Sequence, residues 1–235
     1  NSGWVNVTGG EGKDRQYLDL PGVQQQLLEA VAAVGKHMVV VLYGPGVFSV
    51  NWAAEHCGAI LQAFMPGQFA GKAVADVLDG VTVPGGKLTM SIPRSAGQIP
   101  LTYNHRIGSG YQSSGDAGSG SSIFSGGYVD GPADPLYCFG HGLSYTSFQL
   151  SDLALSGDEV PTDGVVEVSC KVQNTGPVEG DEVVQLYTSF FGAHVIRPVM
   201  ELRGFKRVTL APGEEKSVKF RLNTAQMGYY NENMN

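Results

Sequence analysis

Apolar residues along the chain follow two periods, and the change from one to the other falls near residue 148. In the first part, Val23, Leu27, Val31 and Val34 recur at helical spacing and stop at Gly35. Asp19 is placed to cap that helix, with Pro21 in its first turn, where a missing N–H costs nothing. The unbroken apolar run from Met38 to Leu42 predicts a strand buried on both faces, as in a parallel sheet covered by helices. Ala59-Ile60-Leu61 predicts a short strand, Gly71 to Leu78 a helix closed by Gly80, and Lys87 to Ile92 an edge-like strand ending before Pro93. Helices alternating with strands predict an α/β layer.

Beyond Phe148 the pattern becomes all-β. Val166, Val168, Cys170 and Val172 alternate with Glu167, Ser169 and Lys171, the period of two expected of a strand with one buried face. Val183 to Ser189, Lys206 to Leu210 and Ser217 to Leu222 predict further strands, the last two joined across Ala211-Pro212-Gly213. Short strands at this spacing predict a sandwich of immunoglobulin size. The expected organisation is an α/β layer up to a hinge near Gly142–Phe148 and an all-β sandwich beyond it.

Between Ile107 and Gly127 the chain passes through a Gly/Ser-rich tract with little to bury, too long for an ordinary connection. Neither flank supplies the strand and helix that a phosphate-cradling glycine loop requires.

Composition narrows the chemistry. With 15 basic against 22 acidic residues the chain carries −7, and its Lys and Arg are scattered, which argues against a nucleic-acid partner. No apolar run approaches the length of a membrane span. The five histidines, at 37, 56, 105, 141 and 194, show no paired metal-ligand spacing, so no metal site is expected. No nucleophile elbow for a Ser/His/Asp hydrolase is present. Cys57, Cys138 and Cys170 sit among apolar neighbours and read as small core residues.

Three ordered segments resemble glycoside hydrolase family 3, the β-glucosidases and β-xylosidases. They are Phe64-Met-Pro-Gly-Gln68 with Pro84-Gly-Gly-Lys-Leu88, Pro93-Arg94-Ser95 and Gly97-Gln98-Ile99-Pro100; Pro135 to Phe148, PLYCFGHGLSYTSF; and Arg197-Pro198 with Glu201 to Lys206 and Leu210 to Gly213. The resemblance covers most of the chain. It implies an α/β sandwich domain over residues 1–147 followed by an all-β fibronectin type III-like or immunoglobulin-like β-sandwich over 148–235. It also implies that a (β/α)8 barrel carrying the nucleophilic aspartate lies upstream of Asn1, and that the last strands of the fibronectin-like domain lie downstream of Asn235. The implied activity is that of a retaining exo-acting β-glycosidase on β-linked oligosaccharides, a β-glucosidase first and a β-xylosidase as the alternative. The implied location is extracellular or periplasmic, and this chain alone is expected to be inactive. A carbohydrate-binding or scaffold protein that reuses the fold without its chemistry is the rival reading.

Within that frame one carboxylate stands out. Retaining hydrolysis needs a nucleophile and an acid/base roughly 5 to 5.5 Å apart. Gly10-Glu11-Gly12-Lys13-Asp14-Arg15 resembles the family's acid/base segment position by position, and small neighbours let a glutamate on such a loop approach a sugar. Glu11 is the catalytic candidate, against the alternative of a solvated turn acid. Lys13 and Arg15 read as solvated, and Asp14 as a turn former or a partner of Arg15. Phe124 and Tyr128, bordering the Gly/Ser tract, are candidate sugar-stacking residues. His141 reads as structural, with Tyr145 and Phe148 packing the hinge between the two domains.

Overall fold

The computed structural model describes residues 14–106, 128, 130–230 and 233. Glu11 and Phe124 lie outside them. The described chain groups into two compact units. The first takes in residues up to Leu78, Met90–Thr102 and the described part of 112–139; the second takes in Asp79–Thr89, residues 103–106 and everything from Gly140 onward.

In the first unit, α1 (Gln24–Ala32) leads into β1 (Val39–Tyr43), α2 (Asn51–His56), β2 (Ala59–Phe64) and α3 (Ala70–Leu78). β1 and β2 pair in parallel from Val39↔Ala59 to Tyr43↔Phe64. Val40 and Leu42 are buried with Val50 and Ala53, and Leu20, Leu28, Met38, Trp52, Cys57 and Leu136 pack around them. The alternation of α and β elements is therefore present.

Four local expectations change. β1 is buried on one face only: Val40 and Leu42 are buried, while Val39 and Tyr43 are half exposed. Asp19 does not cap α1: the chain turns at Pro21-Gly22, with Gly22 at φ 64°, and the helix starts after Val23 without a side-chain cap. The stripe Val23, Leu27, Val31, Val34 is 45–69% exposed, because α1 turns Leu28 toward the core instead. Residues 87–92 form no strand; Leu88 exchanges backbone bonds with Gly140 and His141, whereas Ile92 pairs with Tyr137. One segment divided between two partners lays down no continuous ladder. The helix closures at Gly35 and Gly80 hold, with φ of 72° and 73°.

The second unit is a sandwich of two sheets, β3 (Phe148–Leu155), β4 (Val165–Asn174) and β7 (Glu215–Asn223) in order β3-β4-β7, and β5 (Gly180–Thr188) with β6 (Glu201–Leu210). All pairings are antiparallel. The period-two pattern of β4 buries Val166, Val168 and Val172 against Val184, Leu210, Val218, Phe220 and Leu222, each worth about 1.5–3 kcal/mol when fully removed from water. The Pro-Gly turn at 211–213, with Gly213 at φ 77°, carries the chain from one sheet to the other, so β6 and β7 are joined in sequence but not paired. Gly204 in β6 is where the Phe220 ring packs: a Cβ there would stand 3.0 Å from its Cδ1.

Two short stretches join the sandwich from earlier in the chain. Lys87 Nζ lies 3.1 Å from both carboxylate oxygens of Glu182 and donates to the Gly142 carbonyl. The Tyr103 hydroxyl accepts from Leu202 N–H, and its ring meets Tyr187 edge-on. Phe148 packs against the sandwich core, while Tyr145 is half exposed. All three cysteines are free; Cys57 and Cys170 are half-buried as expected, but Cys138 is exposed. Burial pushes the thiol pKa of Cys57 and Cys170 up. No described helix is long and apolar enough to cross a membrane.

Candidate active site

Open α/β sheets bind ligands at the carboxyl ends of their parallel strands. In the first unit that edge is made by residues 44–48 after β1 and 64–68 after β2. The two loops are tied together, because Gly44 N–H donates to the Phe64 carbonyl at 2.9 Å. Phe64 sits at φ 50°, a left-handed conformation that costs a residue with a Cβ about 1–2 kcal/mol. Gly44 at φ 151° gives the Phe48 ring room; a Cβ there would touch it at 3.4 Å.

Arg15 reaches this edge. Its Nη2 donates to the Val47 carbonyl at 2.8 Å, and its guanidinium lies 4.8 Å from the centre of the Phe48 ring. Gly46 faces the same guanidinium, 3.2 Å from where a Cβ would be. Arg15 is half-buried rather than solvated, and among the described residues Asp14 forms no ion pair with it. This reverses the expectation for Arg15 and for its pairing. Glu11 lies outside the described residues, four positions upstream of this anchor in the sequence.

Tyr128 is placed by its hydroxyl, which donates to the Gly97 carbonyl at 2.9 Å, while the residue remains partly exposed. Gln98 beside it is buried and holds the segment that follows. Its Oε1 accepts from Arg94 N–H at 2.6 Å, and its Nε2 donates to the carbonyls of Pro132, Ala133 and Asp134 at 3.1–3.3 Å. Arg94 Nε adds a bond to the Asp134 carbonyl. Asn51 and Ser49 donate to the carbonyls of Arg94 and Pro93, joining the start of α2 to the same strip. Tyr137, at its end, has its phenol pKa raised by burial, opposed by the Arg94 charge. Gln98 went unassigned from sequence although it lies in a quoted segment; its neighbours Gly97 and Pro100 signal a turn, not the buried amide between them. Trp52 stacks on His56 with centroids 4.4 Å apart and packs on the core, so its ring is committed to the fold. Among the described residues, no three His, Cys, Asp or Glu side chains are grouped to hold a metal ion.

The structure thus places Tyr128 and Arg15, and describes no geometry among Glu11, Phe124 and Tyr128. Comparison with known proteins supplies the family. Residues 3–145 match the glycosyl hydrolase family 3 C-terminal domain, and residues 182–235 the fibronectin type III-like domain. The chain is 44% identical to a β-xylosidase of Formosa agariphila over 99% of its own length and 31% of the relative's. It is 38% identical to a periplasmic β-glucosidase of Salmonella typhimurium, over 95% of this chain and 29% of that one. The β-glucosidase of Listeria innocua in complex with glucose superposes with a TM-score of 0.88 at 36% identity, covering 97% of this chain and 31% of that one. The chain spans about a third of the length of these relatives. An α/β layer followed by an antiparallel sandwich, with the matching segments in order along it, makes this chain a member of glycosyl hydrolase family 3, of which it carries C-terminal domain sequence and fibronectin type III-like sequence.

Proposed function

We propose that the protein of which this chain forms part is a retaining exo-acting β-glycosidase that removes terminal non-reducing sugars from β-linked oligosaccharides. The observation that carries this reading is the Gly10-Glu11-Gly12-Lys13-Asp14-Arg15 segment in a chain that belongs to the family. Glu11 is the acid/base. It first gives its proton to the departing glycosidic oxygen while an aspartate on an N-terminal (β/α)8 barrel attacks the anomeric carbon. As carboxylate, it then takes a proton from the water that displaces the aspartate. No metal or organic cofactor is required. Phe124 and Tyr128 flank the sugar, and their rings suit its C–H faces. The domain division is 1–147 and 148–235, and the location is extracellular or periplasmic; the Salmonella relative's name says periplasmic of that protein.

The sugar is glucose in the first reading. Xylose is the second, favoured by the 44% identity to a β-xylosidase. The two differ by the C6 hydroxymethyl group, so rates on aryl β-glucoside and aryl β-xyloside decide between them.

The acid/base assignment is tested in the whole enzyme. Glu11→Gln is expected to lose most turnover on cellobiose, whose leaving group needs a proton. On activated aryl glucosides, azide restores part of the rate, because the anion attacks the anomeric carbon and displaces the aspartate without base assistance, giving a glycosyl azide. Undiminished cellobiose hydrolysis by Glu11→Gln overturns the assignment. A whole protein that binds oligosaccharide but turns over no aryl glycoside establishes the non-catalytic rival.

A further inference from the structure

We infer that Arg15 is a positioning residue for the acid/base: it fastens the segment that follows Glu11 in the sequence to the carboxyl edge of the parallel sheet. The inference rests on the assignment of Glu11 proposed above.

Three contacts converge on one guanidinium: the bond from Nη2 to the Val47 carbonyl at 2.8 Å, the Phe48 face at 4.8 Å, and the opening left by Gly46. All three partners lie in the loop that leaves the end of β1, and that loop is itself tied to the end of β2 through Gly44 and Phe64. An arginine whose purpose was solubility would have no reason to spend its planar face and a donor on a neighbouring backbone; the arrangement is a clamp. The clamp fixes the chain at residue 15. Four peptide units span at most about 14 Å, so the backbone of Glu11 is tethered within that distance of the anchor. An acid that serves two successive steps must be held to within a fraction of an ångström of the glycosidic oxygen and then of the water. A misplacement of about 1 Å costs on the order of 10²-fold. The fastening at Arg15 gives the segment that bears Glu11 a defined origin.

Because Arg15 acts through Glu11, its loss reproduces the chemistry of losing Glu11. In the whole enzyme, Arg15→Ala is expected to lower kcat on cellobiose by about 10²-fold with KM little changed. The loss shrinks on aryl glucosides with good leaving groups, and azide returns part of the rate. Combined with Glu11→Gln, Arg15→Ala adds less than about threefold further loss, since contacts acting through one group are not additive. Phe48→Leu removes only the stacking face and gives a smaller loss with the same leaving-group dependence, which keeps the test open if Arg15→Ala folds poorly. Arg15→Lys recovers little, because an ammonium lacks the planar face. If Arg15→Ala and Phe48→Leu slow every substrate equally, or if the Arg15 and Glu11 losses multiply in the double variant, the role of Arg15 is overturned while that of Glu11 stands. If Glu11→Gln keeps full cellobiose turnover, both fall together.

Discussion

The hydroxyl of Thr146 donates to Oδ1 of Asn174 at 2.6 Å, and both side chains are buried. The same Oδ1 accepts from Gly176 N–H at 3.0 Å, while Nδ2 donates to the carbonyls of Val178 and Leu210, each at 2.8 Å. One amide at the end of β4 thus satisfies four polar groups drawn from the entry to β3, the β4–β5 turn and the end of β6. Such a fully connected buried group is costly to break, because each orphaned partner loses about 1–3 kcal/mol.

Asn174→Ala is therefore expected to destabilise the sandwich by about 3 kcal/mol or more, and Thr146→Val by about 1 kcal/mol. Urea unfolding followed by tyrosine fluorescence measures both. Equal, small effects for the two variants would mean that the amide is not the centre of the network.

Lys87 and Glu182 form a second long-range tie, with side chains only 16% and 14% exposed. Lys87→Met leaves a carboxylate enclosed without its cation, expected to cost about 3–5 kcal/mol. Lys87→Met with Glu182→Leu recovers most of that loss, because a buried pair replaced by apolar groups is close to neutral. A double variant as unstable as the single one would show that packing around the pair, not charge, sets the cost.

Asp181 gives the sandwich a pH dependence. The Thr209 hydroxyl holds its carboxyl below the usual range, burial opposes this, and Arg207 adds a charged hydrogen bond at 2.7 Å. A depressed folded-state pKa contributes stability that is fully present above the unfolded value of about 3.9 and is lost as pH falls through the folded one. The stability gap between the natural chain and Asp181→Asn is expected to be constant above about pH 5 and to narrow below about pH 4. Guanidinium titrations at pH 7 and pH 3 read it; an unchanged gap removes the charge from the account.

Gly86 and Gly142 make a matched pair of substitutions. A Cβ on Gly142 would collide with the Gly86 carbonyl oxygen, whereas a Cβ on Gly86 meets nothing within 4 Å. Gly142→Ala is expected to cost about 1–3 kcal/mol and Gly86→Ala close to nothing. Thermal unfolding of the two variants side by side checks the difference. The same collision explains why the PLYCFGHGLSYT segment carries glycine at 142.

The period of two along β4, the apolar run of β1 and the helix-ending glycines at 35 and 80 were legible because they are local: each is written in consecutive residues and needs no partner to be read. Segment 87–92 was misread for the converse reason. Its alternation is that of a strand, but its hydrogen bonds are shared between residues 136–137 and 140–141, and pairing across 44 to 53 residues leaves no mark in a short window. The amphipathic stripe of α1 was real as a pattern, yet nothing in it says which face the core takes. At the candidate site the sequence proposed Glu11, Phe124 and Tyr128, of which only Tyr128 is among the described residues, and it treated Arg15 as solvated, because a clamp made to a backbone carbonyl and a ring 32 and 33 residues away is invisible in one dimension.

By itself, then, the order of amino acids determined the layer types and the segments that tie the chain to its family, since propensity and periodicity act within a few residues. Tertiary structure alone decided which polar groups became anchors, namely Arg15 on the Val47 loop, Gln98 under residues 132–134 and Asn174 inside the sandwich. A hydrogen bond gains its weight only when burial removes water as the competing partner, and burial is a property of the folded chain.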